Sequence, residues 1–205
     1  MKAKITKTIE NICSAARIEF ARKGFSDARL ENVARAAGVS KQLIYHYFKS
    51  KDELYGVLLE EVARDTLSYL DDSSYDGLTP AETIELFIRR TVEAFALEPF
   101  IATMTLDEGL HNGAHISRRN SYIPLLKSFI ERRIAPALLR GAESGEFRAH
   151  VDPERFYWMV FSMSTAPFLN TQVMCQASGL SFATESGVAL WLRSITEFVL
   201  LSLRP

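Results

Sequence analysis

Apolar residues recur along most of this chain at spacings of three and four, the period of an α-helix with one buried face. Ile5, Ile9, Ile12, Ala16 and Phe20 form the first stripe. Lys23-Gly24-Phe25 ends it, with Gly24 suited to a left-handed C-terminal cap. Leu30, Val33, Ala34 and Ala37 predict a second short helix from about Arg29 to Ala37, with Ser26 or Asp27 as its cap and Gly38-Val39 as its break. Ser40 is placed to cap a third helix reaching Tyr47 or Phe48. Ser50, with Glu53 three residues on, has the spacing of a reciprocal cap and opens a fourth helix carrying Leu54, Val57, Leu58 and Val62.

The polar run 71–80 reads as a loop, and Thr79-Pro80 opens the next helix, whose stripe is Ile84, Phe87, Ile88, Val92 and Phe95. Pro99 interrupts it, and a short helix from Phe100 to Leu110 follows. Residues 109–121, with Gly109, Asn112, Gly113 and Asn120, are expected to be irregular. A helix from about Tyr122 carries Leu125, Leu126, Phe129, Ile130, Ile134, Leu138 and Leu139 and ends near Gly141 or Gly145. Asp152-Pro153 begins one rich in aromatics (Phe156, Tyr157, Trp158, Phe161, Phe168), which Gly179 closes. The last runs from about Thr184 to Leu203. No alternating run reads as a strand. The pattern therefore predicts an all-α protein of about nine helices: a three-helix head over 1–50 and a larger helical body over 51–205.

Composition sharpens this division. Net charge is only −1. Yet residues 1–51 carry eleven Lys/Arg against four Asp/Glu, and the remainder thirteen against twenty-one, so a basic head sits on an acidic body. Such asymmetry points the head at a polyanion, with chance clustering as the alternative that a motif must displace. The two cysteines, Cys13 and Cys175, are far apart and form no metal-binding spacing, which suits reduced cytosolic thiols. The basic N-terminus leads into no apolar leader segment, and no apolar run approaches about 18 residues, so neither a signal peptide nor a membrane span is expected, and the cytoplasm is the expected location.

The turn Ala36-Ala37-Gly38-Val39-Ser40 supplies the motif. Gly38 permits a positive φ, the alanines let two helices cross closely, and Val39 plugs the core beneath them. That is a helix-turn-helix, whose following helix can lie in a DNA major groove. The run Val33 to Leu54 resembles the signature of the TetR-type (tetracycline-repressor-like) regulators at its AGVS, IYHYF and KSKDEL portions. The resemblance covers about residues 5–60. The helical remainder is similar by architecture to that family's ligand-binding and dimerisation domain.

The resemblance assigns base-edge contacts to Lys41, Gln42 and Tyr45. The chemistry agrees: Lys donates to guanine O6/N7, Gln pairs with adenine, and a Tyr ring meets a thymine methyl. A phosphate contact for Lys41 and a solvated position for Gln42 are the plainer alternatives. Backbone contacts fall to Arg29, His46, Tyr47 and Lys51, the last beside a helix N-terminus that favours phosphate. Ile44 and Phe48 are expected to point inward. Two positions depart from the family pattern. Leu43 stands where a hydroxyl is common, and Ala28-Arg29 replaces a threonine start of the second helix.

In the body, the resemblance places the dimer bundle on the last two long helices, with Trp158, Trp191, Ile195 and Val199 as candidates; burial within one subunit is the alternative for each. A ligand pocket among the central helices would draw on Phe95, Phe100, Met104, Glu108, His111, Phe129, Phe161 and Asn170, although such an aromatic stripe also serves as plain core. Glu108, His111 and His115 have a spacing that a metal could use on a helix, but Gly109 and Gly113 argue against a helix there, and no metal or cofactor is expected. No phosphate loop or nucleophile motif marks an enzyme. The expectation is a repressor that binds a palindromic double-stranded operator as a homodimer and is released by a small apolar or amphipathic ligand. The rivals are a ligand-free DNA binder of the same fold, and an activator.

Overall fold

The protein is described by a computed structural model covering residues 2–117, 122–179, 182 and 184–205. Every regular element among the described residues is helical. They group into two compact units, one of residues 1–64 and 98–122, the other of residues 65–97 and 123–205. This division cuts the chain elsewhere than at residue 50, because the helix after Pro99 packs along the first helix.

In the first unit, α1 (Lys2–Asp27) buries Ile12, Ala16 and Phe20 completely, while Ile5 is exposed. Gly24 leaves helical geometry at φ 69°, ψ 176° and turns the chain toward α2 (Leu30–Ala37). Neither Ser26 nor Asp27 caps α2. The cap comes from α1: Glu19 accepts from the Arg29 N–H at 3.2 Å and the Asn32 amide at 2.8 Å. A long carboxylate about two turns from the end of a neighbouring helix does the work of a short local one, because Arg29 occupies the cap position with no acceptor of its own.

Gly38 adopts the left-handed conformation (φ 68°), and the Val39 N–H returns to the Ala34 carbonyl at 3.0 Å, closing α2. Ser40 caps α3 (Lys41–Tyr47) through the Leu43 N–H. Ser50 caps α4 (Lys51–Leu70) through the Glu53 N–H at 3.0 Å, and the Glu53 carboxylate reaches back to the Lys49 N–H at 3.0 Å. α6 (Pro99–Leu110) extends through Gly109, so the glycine does not break that helix. Asn112 and Gly113 do, both at positive φ, before the single turn of α7 (Ala114–Ser117). Of the segment expected to be irregular, residues 118–121 lie outside the described residues.

The second unit is built round α5 (Pro80–Leu97). Thr79 and Glu82 cap it reciprocally: Thr79 N–H to Glu82 at 2.9 Å, Glu82 N–H to the Thr79 hydroxyl at 3.3 Å. α8 (Tyr122–Phe129) passes through a π-helical stretch (Ile130–Ile134) into α9 (Ala135–Glu143). Pro136 lacks the N–H that would close the preceding turn, and the helix widens there. The widened turn carries Arg132 and Arg133 to the loop after α4. Arg133 meets Asp71 at 2.7 Å, Asp76 at 3.0 Å and the Asp72 carbonyl at 3.0 Å, and Arg132 pairs with Asp71.

α10 (Pro153–Leu169), capped by Asp152, ends at Asn170 instead of running on to Gly179, and a separate short α11 (Thr171–Ser178) follows. Pro167, inside α10, cannot donate to the Met163 carbonyl. The Trp191 indole N–H takes that carbonyl instead, at 3.1 Å. Trp191 lies on α12 (Glu185–Leu203), capped by Thr184. α12 is also the one helix among the described residues long and apolar enough to cross a membrane by length and composition, which corrects the expectation that no segment reaches that size. Its apolar residues divide between the unit's core (Ile195, Val199, Leu203) and an outward stripe.

Candidate DNA-reading head and effector core

Capping sets what α3 presents. Ile44 (0 % exposed) and Phe48 anchor its inner face, so Lys41, Gln42, Tyr45 and His46 project to solvent and Tyr47 is half-buried. Leu43 is half-buried, consistent with an apolar residue at that place. The Lys41 ammonium is paired with Glu31 of α2 and lies 5.7 Å from the Tyr45 ring. That hydrogen bond holds Lys41 above its usual lysine range and Glu31 below the usual carboxylate range, so both stay charged at neutral pH.

Arg29 is exposed at the start of α2. Lys51 is only half-buried, but its ammonium donates to the Ser26 and Ala28 carbonyls (3.1 and 2.9 Å) and sits over the Phe25 ring at 4.8 Å. It therefore holds the α1–α2 turn as well as marking the α4 N-terminus. The helpers Glu19 and Glu31 were not legible as such in the sequence; each is an ordinary exposed-face glutamate until the turn brings it over.

Beneath the head, α6 and α7 supply a buried polar cluster. Asp107 accepts from the Phe25 N–H at 2.7 Å and the Tyr55 hydroxyl at 3.4 Å. Burial, then the nearby Asp107 and Glu108, push the Tyr55 hydroxyl far above its usual range, so it remains a neutral donor. Glu108 faces His115 Nδ1 at 2.6 Å, and Asp52 lies 3.6 Å from His115 Nε2. His111 Nδ1 is 2.7 Å from the Asp107 carbonyl, which can only accept, so Nδ1 carries the proton. Glu108 and His115 thus meet across the break at Asn112 and Gly113, not along one helix, and His111 turns to the backbone. No group of three or more ligands suited to a metal ion occurs among the described residues. Phe100 and Met104 are buried in this same unit.

The second unit has an aromatic layer. Phe87 stacks on Tyr157 at 5.3 Å, Phe129 meets Phe87 at 5.7 Å, and Phe95 touches Phe161 and Phe168, each at 5.9 Å. Phe95, Phe129 and Phe161 of the expected pocket set lie here, whereas Asn170 is exposed, its amide returned to the Ala166 carbonyl. Two open clefts, of about 520 and 560 Å³, flank α5 and α12 with Glu85, Leu192 and Thr196 in common; none of the expected pocket residues lines them. Of the expected interface residues, Trp158 is 49 % exposed, Trp191 is half-buried, and Ile195 and Val199 are 4 % and 1 % exposed. Core packing takes those last two. The outward apolar residues of α10 and α12 are instead Trp158, Met159, Leu190, Phe198 and Leu201.

Residues 12–58 match the family of bacterial regulatory proteins of the tetR type, and residues 80–199 match the tetracyclin repressor-like C-terminal domain. The chain belongs to the TetR family. Among relatives of this TetR-family protein is the HTH-type transcriptional repressor NicS of Pseudomonas putida, 24 % identical over 198 residues that span 97 % of this chain and 93 % of NicS. The HTH-type transcriptional regulator RutR of Escherichia coli K12 is 27 % identical over 95 % of this chain and 89 % of RutR. In fold, it is similar to the regulator FadR of Bacillus subtilis, solved in complex with stearoyl-CoA (TM-score 0.68, 22 % identity, 95 % of this chain and 99 % of that one). As a TetR-family member the protein is a helix-turn-helix transcriptional regulator, and α3 lies within the matched residues 12–58.

Proposed function

We propose that this TetR-family protein is a cytoplasmic repressor that reads a palindromic operator as a homodimer and lets go when a small apolar or amphipathic molecule enters the second unit. The observation that carries the reading is the outward face of α3: Lys41, Gln42 and Tyr45 project together while Ile44 and Phe48 hold the helix from behind. Lys41 and Gln42 read base edges, Tyr45 a thymine methyl, and Arg29, His46, Tyr47 and Lys51 take phosphates. One such head reads too few base pairs for specificity, and two-fold pairing supplies the second half-site. The outward stripe on α10 and α12 is an unpaired apolar surface of the kind that association buries, which supports pairing there.

An effector can release DNA only if it prefers the free form, and the aromatic layer of α5 and α10 supports an apolar ligand. α4 runs without a break from Lys51 into the second unit, which supports it as the carrier of the motion. The relatives named as repressors, and the acyl-CoA held by FadR, agree with this reading. Selection from a random duplex pool, followed by salt titration, tests it. A palindromic winner whose affinity falls steeply with salt is the expected result. Enrichment of no sequence, or of a single half-site bound by a monomer, would overturn it.

A further inference from the structure

Two buried side-chain oxygens have no hydrogen-bond partner among the described residues: Ser164 Oγ and the Tyr75 hydroxyl. Ser164 is the sharper case, because it is 0 % exposed. A helical serine or threonine ordinarily satisfies its hydroxyl on the carbonyl four residues back. Thr165 does so on Phe161, Thr171 on Pro167 and Thr91 on Phe87, at 2.6–2.9 Å. Ser164 does not use Val160 in this way.

Its place on α10 shows what surrounds it. Tyr157, Phe161, Ser164 and Phe168 follow at steps of four, three and four, one face of the helix. Phe161 and Phe168, on either side of the serine along that face, both touch Phe95 of α5. The unsatisfied hydroxyl therefore belongs to the aromatic layer, and an oxygen left without a partner there is costly unless something else meets it. Phe161 and Phe168 are only half-buried, so this face of the layer lies near the surface of the unit.

Charge limits that guest. Arg90 is the buried charged residue of this unit among the described residues, and it is already engaged by Asp72 at 2.8 Å, Ser74 at 2.9 Å and the Tyr69 carbonyl at 2.6 Å. A carboxylate or ammonium in the aromatic layer would lie unpaired, at prohibitive cost.

Resting on the effector reading above, we infer that the ligand is a neutral, flat, mainly apolar molecule whose single hydroxyl or carbonyl oxygen is met by Ser164 Oγ between Phe161 and Phe168. Equilibrium dialysis of the full-length protein without DNA against 2-naphthol, naphthalene and 2-naphthoate tests this. 2-Naphthol should bind about tenfold tighter than naphthalene, the equivalent of one hydrogen bond in a dry site, with 2-naphthoate weaker than 2-naphthol. Ser164→Ala should bring 2-naphthol to the naphthalene level and leave naphthalene unchanged. Ser164→Cys, nearly the same shape but a poor donor, carries the same comparison should the alanine variant fail to fold.

A naphthol preference that survives both substitutions, tightest binding by 2-naphthoate, or binding of none of the three overturns the inference. Operator selection by the same preparation is read separately. A selected palindrome with no probe binding sinks the ligand inference alone; Ser164-dependent binding without a selected operator sinks the repressor reading alone.

Discussion

Gly24→Ala offers a direct test of how the head is held. Gly24 sits at φ 69°, ψ 176°, a region essentially reserved for glycine. Forcing a side chain into it costs about 1–3 kcal/mol in backbone strain alone. A Cβ there would also stand 3.1 Å from Asp107 Oδ1. That carboxylate cannot simply withdraw, because its other oxygen holds the Phe25 N–H at 2.7 Å and the Tyr55 hydroxyl at 3.4 Å. Loosening those bonds adds roughly 1 kcal/mol. The sum is about 2–4 kcal/mol, which for a chain of this length lowers Tm by roughly 4–16 °C. Thermal unfolding followed by circular dichroism at 222 nm reads it directly. Asp107→Ala should cost a similar amount, and the double variant less than the two together, since the alanine at 24 then has room. A Gly24→Ala protein that melts within 1 °C of the parent would refute the argument, as would strict additivity.

Three further outcomes are expected. Gly141→Ala would set a Cβ 2.1 Å from the buried Phe147 ring, so overpacking should outweigh the gain in helix propensity and destabilise by about 1–2 kcal/mol in urea unfolding; a more stable variant would contradict the packing. Burial, reinforced by Glu61, pushes the Cys13 thiol up to about 11, so iodoacetamide at pH 8 should leave it unmodified in the folded protein and label it after unfolding, by mass spectrometry. Arg90→Met should lower Tm at pH 7, and the gap should narrow toward pH 3. The Arg90 hydrogen bond holds the Asp72 carboxyl well below its usual range, so its contribution is present above the ordinary carboxylate pKa of about 4 and is lost as pH falls below it. A gap independent of pH would show that the pair is not its source.

How far the chain could be read depended on whether the information was local. The turn at Gly38, the caps Ser40, Ser50 and Thr79, the helix starts near Asp152 and Thr184, and the inward Ile44 and Phe48 are all set by neighbours within four residues, and each lies where the pattern puts it. The cap of α2 was misplaced because Glu19 reaches it from the preceding helix, ten residues back from Arg29. The split at Asn170 is not legible in the pattern, since the aromatic period runs through Phe168 up to it. Ile195 and Val199 share an apolar stripe with outward residues on α12, and periodicity alone does not tell which edge of a broad stripe meets α5 and which meets solvent. The pocket candidates, spread over the central helices from residue 95 to 170, divide between the two units, with Phe100, Met104, Glu108 and His111 in the first and Phe95, Phe129, Phe161 and Asn170 in the second.

The bond from the Trp191 indole to the Met163 carbonyl fixes more than one side chain. It exists because Pro167 vacates an acceptor in the middle of α10, and an indole offers a single donor with no second choice of partner. Were α12 to slip along α10 by even one residue, both groups would be stranded. The two helices are therefore indexed to each other like the halves of a vernier, and the separation between Trp158 on one and Phe198 on the other is settled inside a single chain.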